Sequence, residues 1–276
     1  MKRMKTNKTK SLSLILNIVA LSFYSCDTDE TQRVTTLENL VFEEDFSGSE
    51  LDMSIWSYDI GDGSDQGIAG WGNDELQTYT DRPENIKVED GKLIITARQE
   101  SFDGAGYTSA RILTKEKLTQ QYGRIEARMK MPWGRGLWPA FWMLGEDIDE
   151  VGWPLTGEID IMEYRGQDPT IVHASVHGPG YSAGQAITKT YNLVNDRLDT
   201  DFHIFGIEWG EDFINFYVDD FLYSRTTPED VTGAWVFNKP FYLLINMAVG
   251  GTFVGSPNSE TQFPQTLEVD YVRIFE

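Results

Sequence analysis

From Val41 to the C-terminus, short apolar and aromatic runs alternate with turn residues: KLIITAR, GRIEARMKM, LWPAFWML, EIDIMEY, IVHASVH, FHIFGIEW, FINFYVDD, FLYSR, FYLLINMAV and LEVDYVRIF. Runs this short, rich in β-branched and aromatic residues and bounded by Gly, Pro, Asn and Asp, read as strands. Their regular succession points to an all-β sandwich. No internal repeat and no long amphipathic helix interrupts it. The chain has 276 residues, and all-β sandwiches reach roughly 200–250 residues as one unit. One large domain, 41–276, behind a short leader is the simplest organisation.

Within GRIEARMKM, Arg124, Glu126, Arg128 and Lys130 alternate with Ile125, Ala127 and Met129. One face should pack on a core while the other meets water or ligand. WGNDELQTYTDRPEN, by contrast, reads as a long ordered loop, a length often associated with function.

The segment GEIDIMEY carries three acids, Glu158, Asp160 and Glu163. Side chains alternate along a strand, so Glu158 and Asp160 share a face while Ile159 and Ile161 point to the other. Glu163 would then fall among the core residues. Either the strand stops before it, or a β-bulge lets Ile161 and Met162 together span one inward interval and returns Glu163 to the side of the other acids. Three like charges on one surface raise one another's pKa and destabilise a fold. From the residues alone, a solvated acidic strand and a calcium site stay open beside a catalytic pair.

Two carboxylates flanking a glycosidic bond are what retaining glycoside hydrolysis needs, one as nucleophile and one as acid/base, with roughly 5–5.5 Å between them. At ~3.3 Å per residue, the Glu158 and Glu163 backbones lie about 13 Å apart. A strand curved toward the ligand with inward-leaning side chains is needed to close that gap. Asp160, between them, is placed to orient Glu158 and keep Glu163 protonated.

At this point the chain resembles glycoside hydrolase family 16, in its laminarinase-like branch. The resemblance is carried by WGNDELQTYT, SARILTK, YGRIEARMKMPWGRGLWPAFWMLG, GEIDIMEY, FHIFGIEW, INMAVGG and VDYVRIFE, across nearly all of residues 41–276. It implies a curved β-jelly-roll sandwich of two antiparallel sheets with a concave substrate cleft, and retention of configuration. Position by position, it assigns Glu158 as nucleophile, Asp160 as assisting acid and Glu163 as general acid/base. The spacing E-x-D-x-x-E is the longer, laminarinase-type form of the motif.

Trp138 and Trp142, four apart, share a face opposite Leu137 and Phe141, and the resemblance makes them sugar platforms. It makes Trp153 a further subsite wall, Asn73 and Arg111 hydrogen-bonding partners of sugar hydroxyls, and His177 a cleft residue. Arg111 could equally be an ordinary ion-pair partner, and His173 and His203 are read as structural. The implied activity is a retaining endo-β-1,3-glucanase acting on laminarin-like β-glucan by double displacement. The alternatives are a same-family hydrolase of mixed-linkage β-1,3-1,4-glucan or a galactan, or a surface glycan-binding protein without catalysis.

No cofactor is required for such chemistry. Three histidines and no cysteine partner do not support a catalytic zinc site. The resemblance implies a structural Ca²⁺ on the convex side, at Asp45, Gly91 and Asp270, the first two largely through backbone carbonyls, and oxygen donors suit that ion. The formal charge of −21 repels a phosphate backbone, so nucleic acid is a poor partner. A monomer is expected.

Residues 1–25 open with basic MKRMKTNKTK and continue as an apolar run too short to span a bilayer, the pattern of a signal peptide. FYSC, ending at the single cysteine Cys26, resembles a lipobox without the preferred Leu three residues earlier. The following DTDE resembles export signals of cell-surface lipoproteins. An acylated Cys26, an acidic linker over 26–40 and an outer-membrane or cell-surface location are therefore expected, with plain secretion as the alternative. The membrane would be met only through the lipid anchor.

Overall fold

The computed structural model describes residue 37 and residues 39–276. The expected signal peptide, Cys26 and most of the linker lie outside the described residues. Strands are numbered in chain order, and the first one begins at Leu40, the last residue of the expected linker.

One sheet runs β13 (Ile187–Asn192), β12 (Ile171–His177), β11 (Glu158–Tyr164), β10 (Leu137–Gly145), β17 (Phe241–Val249), β7 (Arg111–Leu113) and β2 (Ser57–Asp59), with β8 (Thr119–Gln120) also on β17. The other runs β16 (Phe221–Thr226), β15 (Phe213–Val218), β14 (His203–Gly210), β9 (Gly123–Lys130), β18 (Gln265–Phe275), β5 (Lys92–Phe102), β6 (Ala105–Ser109) and β3 (Gln77–Tyr79). On that second sheet β1 (Leu40–Glu44) pairs with β18, and β4 (Ile86–Glu89) with β5.

Every strand pair is antiparallel except β3 with β6, which is parallel. The two sheets are otherwise the antiparallel ones expected. The segment read as a loop, 71–85, also contains β3, whose Gln77, Thr78 and Tyr79 are all buried. Its polar composition concealed a strand that gains its partner from a distant hairpin.

The core lies between the sheets and is continuous. Ile159, Ile161, Met162, Leu137 and Phe141 from the eight-stranded sheet meet Ile125, Ala127, Met129, Ile207 and Val272 from the ten-stranded one, all essentially inaccessible. Burying side chains of this size stabilises by about 1.5–3 kcal/mol each.

Strand β9 corrects a second expectation. Its inner face packs as expected, but Arg124 and Glu126 on the outer face are also buried, at 6% and 4% exposure. Arg124 donates to Glu126 (2.7 Å) and to Asp220 (2.7 Å), while the Tyr217 and Tyr271 hydroxyls donate to Glu126 at 2.9 and 3.3 Å. Alternation showed which residues leave the core, and neighbouring strands decided that these ones do not reach water.

Candidate active site

The three acids of β11 stand on the outer face of the eight-stranded sheet, because the strand contains the bulge that their spacing required. On one side Asp160 pairs with Trp142 and Met162 with Phe141, leaving Ile161 without its own partner. On the other, Asp160 pairs with Ser175 and Glu163 with His173, so Ile161 and Met162 together oppose Ala174. Both bulge residues are buried. Two apolar residues thus occupy one inward interval, and Glu163 emerges beside Asp160.

Cross-strand register then assembles the surroundings. One row runs from Asp59 through Arg111, Asn246, Ala140 and Glu163 to His173. The next places Trp142 beside Asp160 and Ser175, and a third places Leu144 beside Glu158 and His177. Ala140, the smallest side chain in its row, leaves room next to Glu163.

Glu158 accepts a hydrogen bond from the Trp153 indole N–H at 3.0 Å. His177 Nε2 lies 3.0 Å from Asp160 and 3.6 Å from Glu158. The Ala183 backbone N–H donates to His177 Nδ1 at 3.1 Å, which leaves the Nε2 proton to point at Asp160. Ser175, two residues from both His173 and His177, donates to Glu163 at 3.4 Å and contacts Thr188 at 2.9 Å.

Burial, and then the charge of Asp160, push the Glu158 carboxyl up to about 7 and the Glu163 carboxyl up to about 8. Burial opposes charge on His177, but the Asp160 hydrogen bond and the surrounding carboxylates outweigh it and raise the imidazole to about 9. Taking a second proton there would cost the Ala183 contact. At neutral pH Glu163 is the carboxyl that keeps a proton to give and Glu158 the readier anion.

Trp138 and Trp142 both leave the core, while Leu137 and Phe141 are fully buried. Trp142 donates to Asn246 Oδ1 at 2.8 Å. Trp138 rests on Phe253, with ring centroids 5.0 Å apart. Trp153 is 46% exposed and 5.9 Å from the His177 ring, so it both walls the site and holds Glu158.

Arg111 is ion-paired to Asp59 at 2.9 Å and lies over two indoles, Trp71 at 4.5 Å and Trp142 at 4.8 Å. The ion pair and the place beside the acids are therefore both present. Asn73 donates to Glu75 at 3.3 Å. His203 sits in the other sheet, 2.6 Å from Asp219. His173, although read as structural, is the cross-strand neighbour of Glu163; burial lowers its pKa, and its ring meets Phe253 edge-on at 5.3 Å.

Sequence reading did not single out Ser175, Asn246, Phe253 or Trp71. Ser175 was legible in principle, since it alternates with the two histidines of IVHASVH. The others enter through loops and distant strands and leave no local signal.

The Glu158, Asp160 and His177 donor atoms lie within 4.8 Å of one another, close enough to hold a metal ion. Each already has a hydrogen-bonding role among its neighbours. The expected calcium position is elsewhere. Strand β1 ends beside Val272 and β5 begins beside Val269 along one edge of β18, which brings Asp45 and Gly91 toward Asp270. An all-oxygen set there suits a hard cation, although Asp270 Oδ2 is also 2.7 Å from Arg128.

Comparisons with known proteins agree with this geometry. The chain is 40% identical over 283 residues to a β-glucanase of Rhodothermus marinus, covering 99% of this chain and 96% of that one. The solved catalytic domain of an endo-1,3-β-glucanase (laminarinase) from Thermotoga petrophila is 48% identical, superimposes with a TM-score of 0.83, and covers 86% of this chain and 97% of its own. The endo-β-1,3-glucanase structure from Pyrococcus furiosus is 44% identical with a TM-score of 0.84, over 89% of this chain and 98% of that one. The family model for glycosyl hydrolases family 16 matches residues 73–273, and with its jelly-roll sheets and bulged acidic strand the chain belongs to that family.

Proposed function

We propose that the protein is a retaining endo-β-1,3-glucanase that cleaves laminarin-like β-glucan by double displacement. The observation that carries this reading is the bulge in β11, which sets Glu158, Asp160 and Glu163 on one face, beside the half-buried Trp142 and the exposed Trp153. Similarity to enzymes named for endo-1,3-β-glucanase activity supports the choice of linkage.

In the first step a Glu158 carboxylate oxygen attacks the anomeric carbon while Glu163 gives its proton to the glycosidic oxygen. The C–O bond breaks and the aglycone leaves as an alcohol. In the second, the Glu163 carboxylate takes a proton from water, which attacks the same carbon and displaces Glu158, so the β configuration is restored. Asp160 stands next to both glutamates, Trp153 fixes the rotamer of the nucleophile, and His177 fixes that of Asp160. Asn73, Arg111, Trp138 and Trp142 bind the glucan.

Calcium at Asp45, Gly91 and Asp270 would tie β1 and β5 to β18 and has no part in these steps. Export with a lipid anchor on Cys26 would place the site where an external polysaccharide is met.

The test is a time course of product sizes from laminarin, lichenan and agarose, with Glu158→Ser as control. Medium-length oligomers appearing early from laminarin, and absent in the variant, are expected. Laminarin bound but never cut would overturn the reading in favour of a glycan-binding protein.

A further inference from the structure

Glu75 is a carboxylate on the sugar-binding side of the sheet that the reaction does not use. It lies in the segment that also carries Asn73 and Trp71, and its oxygens are enclosed by hydrogen-bond donors. Asn73 Nδ2 donates to Oε1 at 3.3 Å, while Gln77 Nε2 and the Tyr79 hydroxyl donate to Oε2 at 2.7 and 3.2 Å. The network continues from Tyr79. Its hydroxyl accepts from Asn246 Nδ2 at 3.1 Å, and Asn246 Oδ1 accepts from the Trp142 indole at 2.8 Å.

The segment is fastened to β17, so this network has a fixed frame. Leu76 N–H donates to the Val249 carbonyl and Thr252 N–H to the Asn73 carbonyl, both at 2.8 Å, and Val249 N–H donates to Gln77 Oε1 at 2.7 Å. Gly250 and Gly251 make the approach possible. Both have left-handed φ, and a Cβ would meet Leu76 at 2.5 Å on the first and the Asn73 carbonyl at 2.9 Å on the second.

We infer that Glu75 is a positioning residue for glucan binding: it holds the Asn73 amide directly and the Trp142 ring through Tyr79 and Asn246. This inference deepens the β-glucanase reading and uses its sugar-contact residues. A carboxylate suits the place because it only accepts. Glutamine would have to turn an N–H₂ toward either Asn73 or the Gln77 and Tyr79 pair, setting donor against donor. Burial raises the Glu75 pKa, and the three donors and the Arg111 charge offset part of that rise.

The experiment uses the full chain with Glu75→Gln and Tyr79→Phe, the second removing one oxygen and cutting the path to Asn246 while Glu75 keeps Asn73. Three quantities are read: KM and kcat on laminarin, and the affinity of each change in the Glu158→Ser background for a β-1,3-gluco-oligosaccharide by calorimetry. Expected are a several-fold weaker affinity and a matching rise in KM, with kcat changed less than about twofold, as for loss of uniform binding. A role in folding alone would lower the melting temperature and leave affinity and KM unchanged in the folded fraction, which would overturn the inference. If Glu75→Gln fails to fold, Tyr79→Phe decides on the same criteria. Wild type that leaves laminarin intact defeats the β-glucanase reading, whereas variants that bind the oligosaccharide as tightly as their parent defeat only this inference.

Discussion

Two faces of the sandwich bury carboxylates, and they treat them in opposite ways. On the outer face of β9, Glu126 receives Arg124 and two tyrosine hydroxyls, and Arg124 also meets Asp220. On the face carrying β11, Glu158, Asp160 and Glu163 crowd together with a single histidine and two neutral donors, Trp153 and Ser175. Charge is matched at Glu126 and left unmatched around Glu158 and Glu163, whose pKa values are raised by burial first and by the Asp160 charge second. Matched charge is a structural device, whereas crowded carboxylates with raised pKa values mark a candidate site of chemistry and fit the proposed acid and nucleophile.

The largest effect that would break this contrast is on rate. Glu158→Gln should lower kcat on laminarin by about 10³-fold or more, equivalent to roughly 4 kcal/mol of barrier, while thermal melting shows no loss of stability because one unmatched carboxylate is gone. Glu126→Gln should do the reverse. It leaves a buried guanidinium short of its partner and should cost about 3 kcal/mol of stability in urea titration, with kcat per folded molecule unchanged. A Glu126 variant that folds normally but loses activity would erase the distinction.

pH sharpens it further. Glu158 and Glu163 have folded-state values of about 7 and about 8 against 4.5 for a free glutamate. Between those limits the folded chain keeps protons that the unfolded chain has released. Their contribution to stability is therefore present below about pH 4.5 and lost as pH rises through 7 and 8. Urea midpoints at about pH 5 and about pH 8 should show this fall, and Glu163→Gln should flatten it. Activity should follow a narrow bell, its acid limb set by ionisation of Glu158 near 7 and its basic limb by loss of the Glu163 proton near 8.

The smallest effect tests a single neutral donor. Trp153→Phe keeps the ring beside His177 but removes the N–H that lowers the Glu158 pKa. The acid limb should move to higher pH, with kcat/KM down by about 3–10-fold, the size of one hydrogen bond. An unmoved acid limb would show that the indole only lines the cleft.

Much of this was legible beforehand for a physical reason: strand periodicity is local. The alternation in LWPAFW placed Trp138 and Trp142 outside and Leu137 and Phe141 inside, and the uneven spacing of three acids required either a strand end or a bulge. The register of β10, β11 and β12 selects the bulge. Strand β3 was missed because QTY has little apolar signal of its own. Phe253 was missed because its place beside Trp138 and His173 comes from a loop returning after β17.

The all-β class, the order of the long strands and the face shared by Glu158 and Asp160 were readable from the chain alone, since each follows from the two-residue period of a strand, whereas the bulge that returns Glu163 to that face shows only in the register. Only the tertiary structure decided which carboxylates are matched. Glu126 leaves the core by plain alternation and Glu163 by the bulge. Each has a charged neighbour on its own strand, Arg124 for the first and Asp160 for the second, and what differs further is what other strands bring: Tyr217 and Tyr271 to Glu126, and Ser175 and His173 to Glu163. Partners that distant in sequence leave no mark on local periodicity, yet they decide how far each carboxylate is enclosed and hydrogen-bonded.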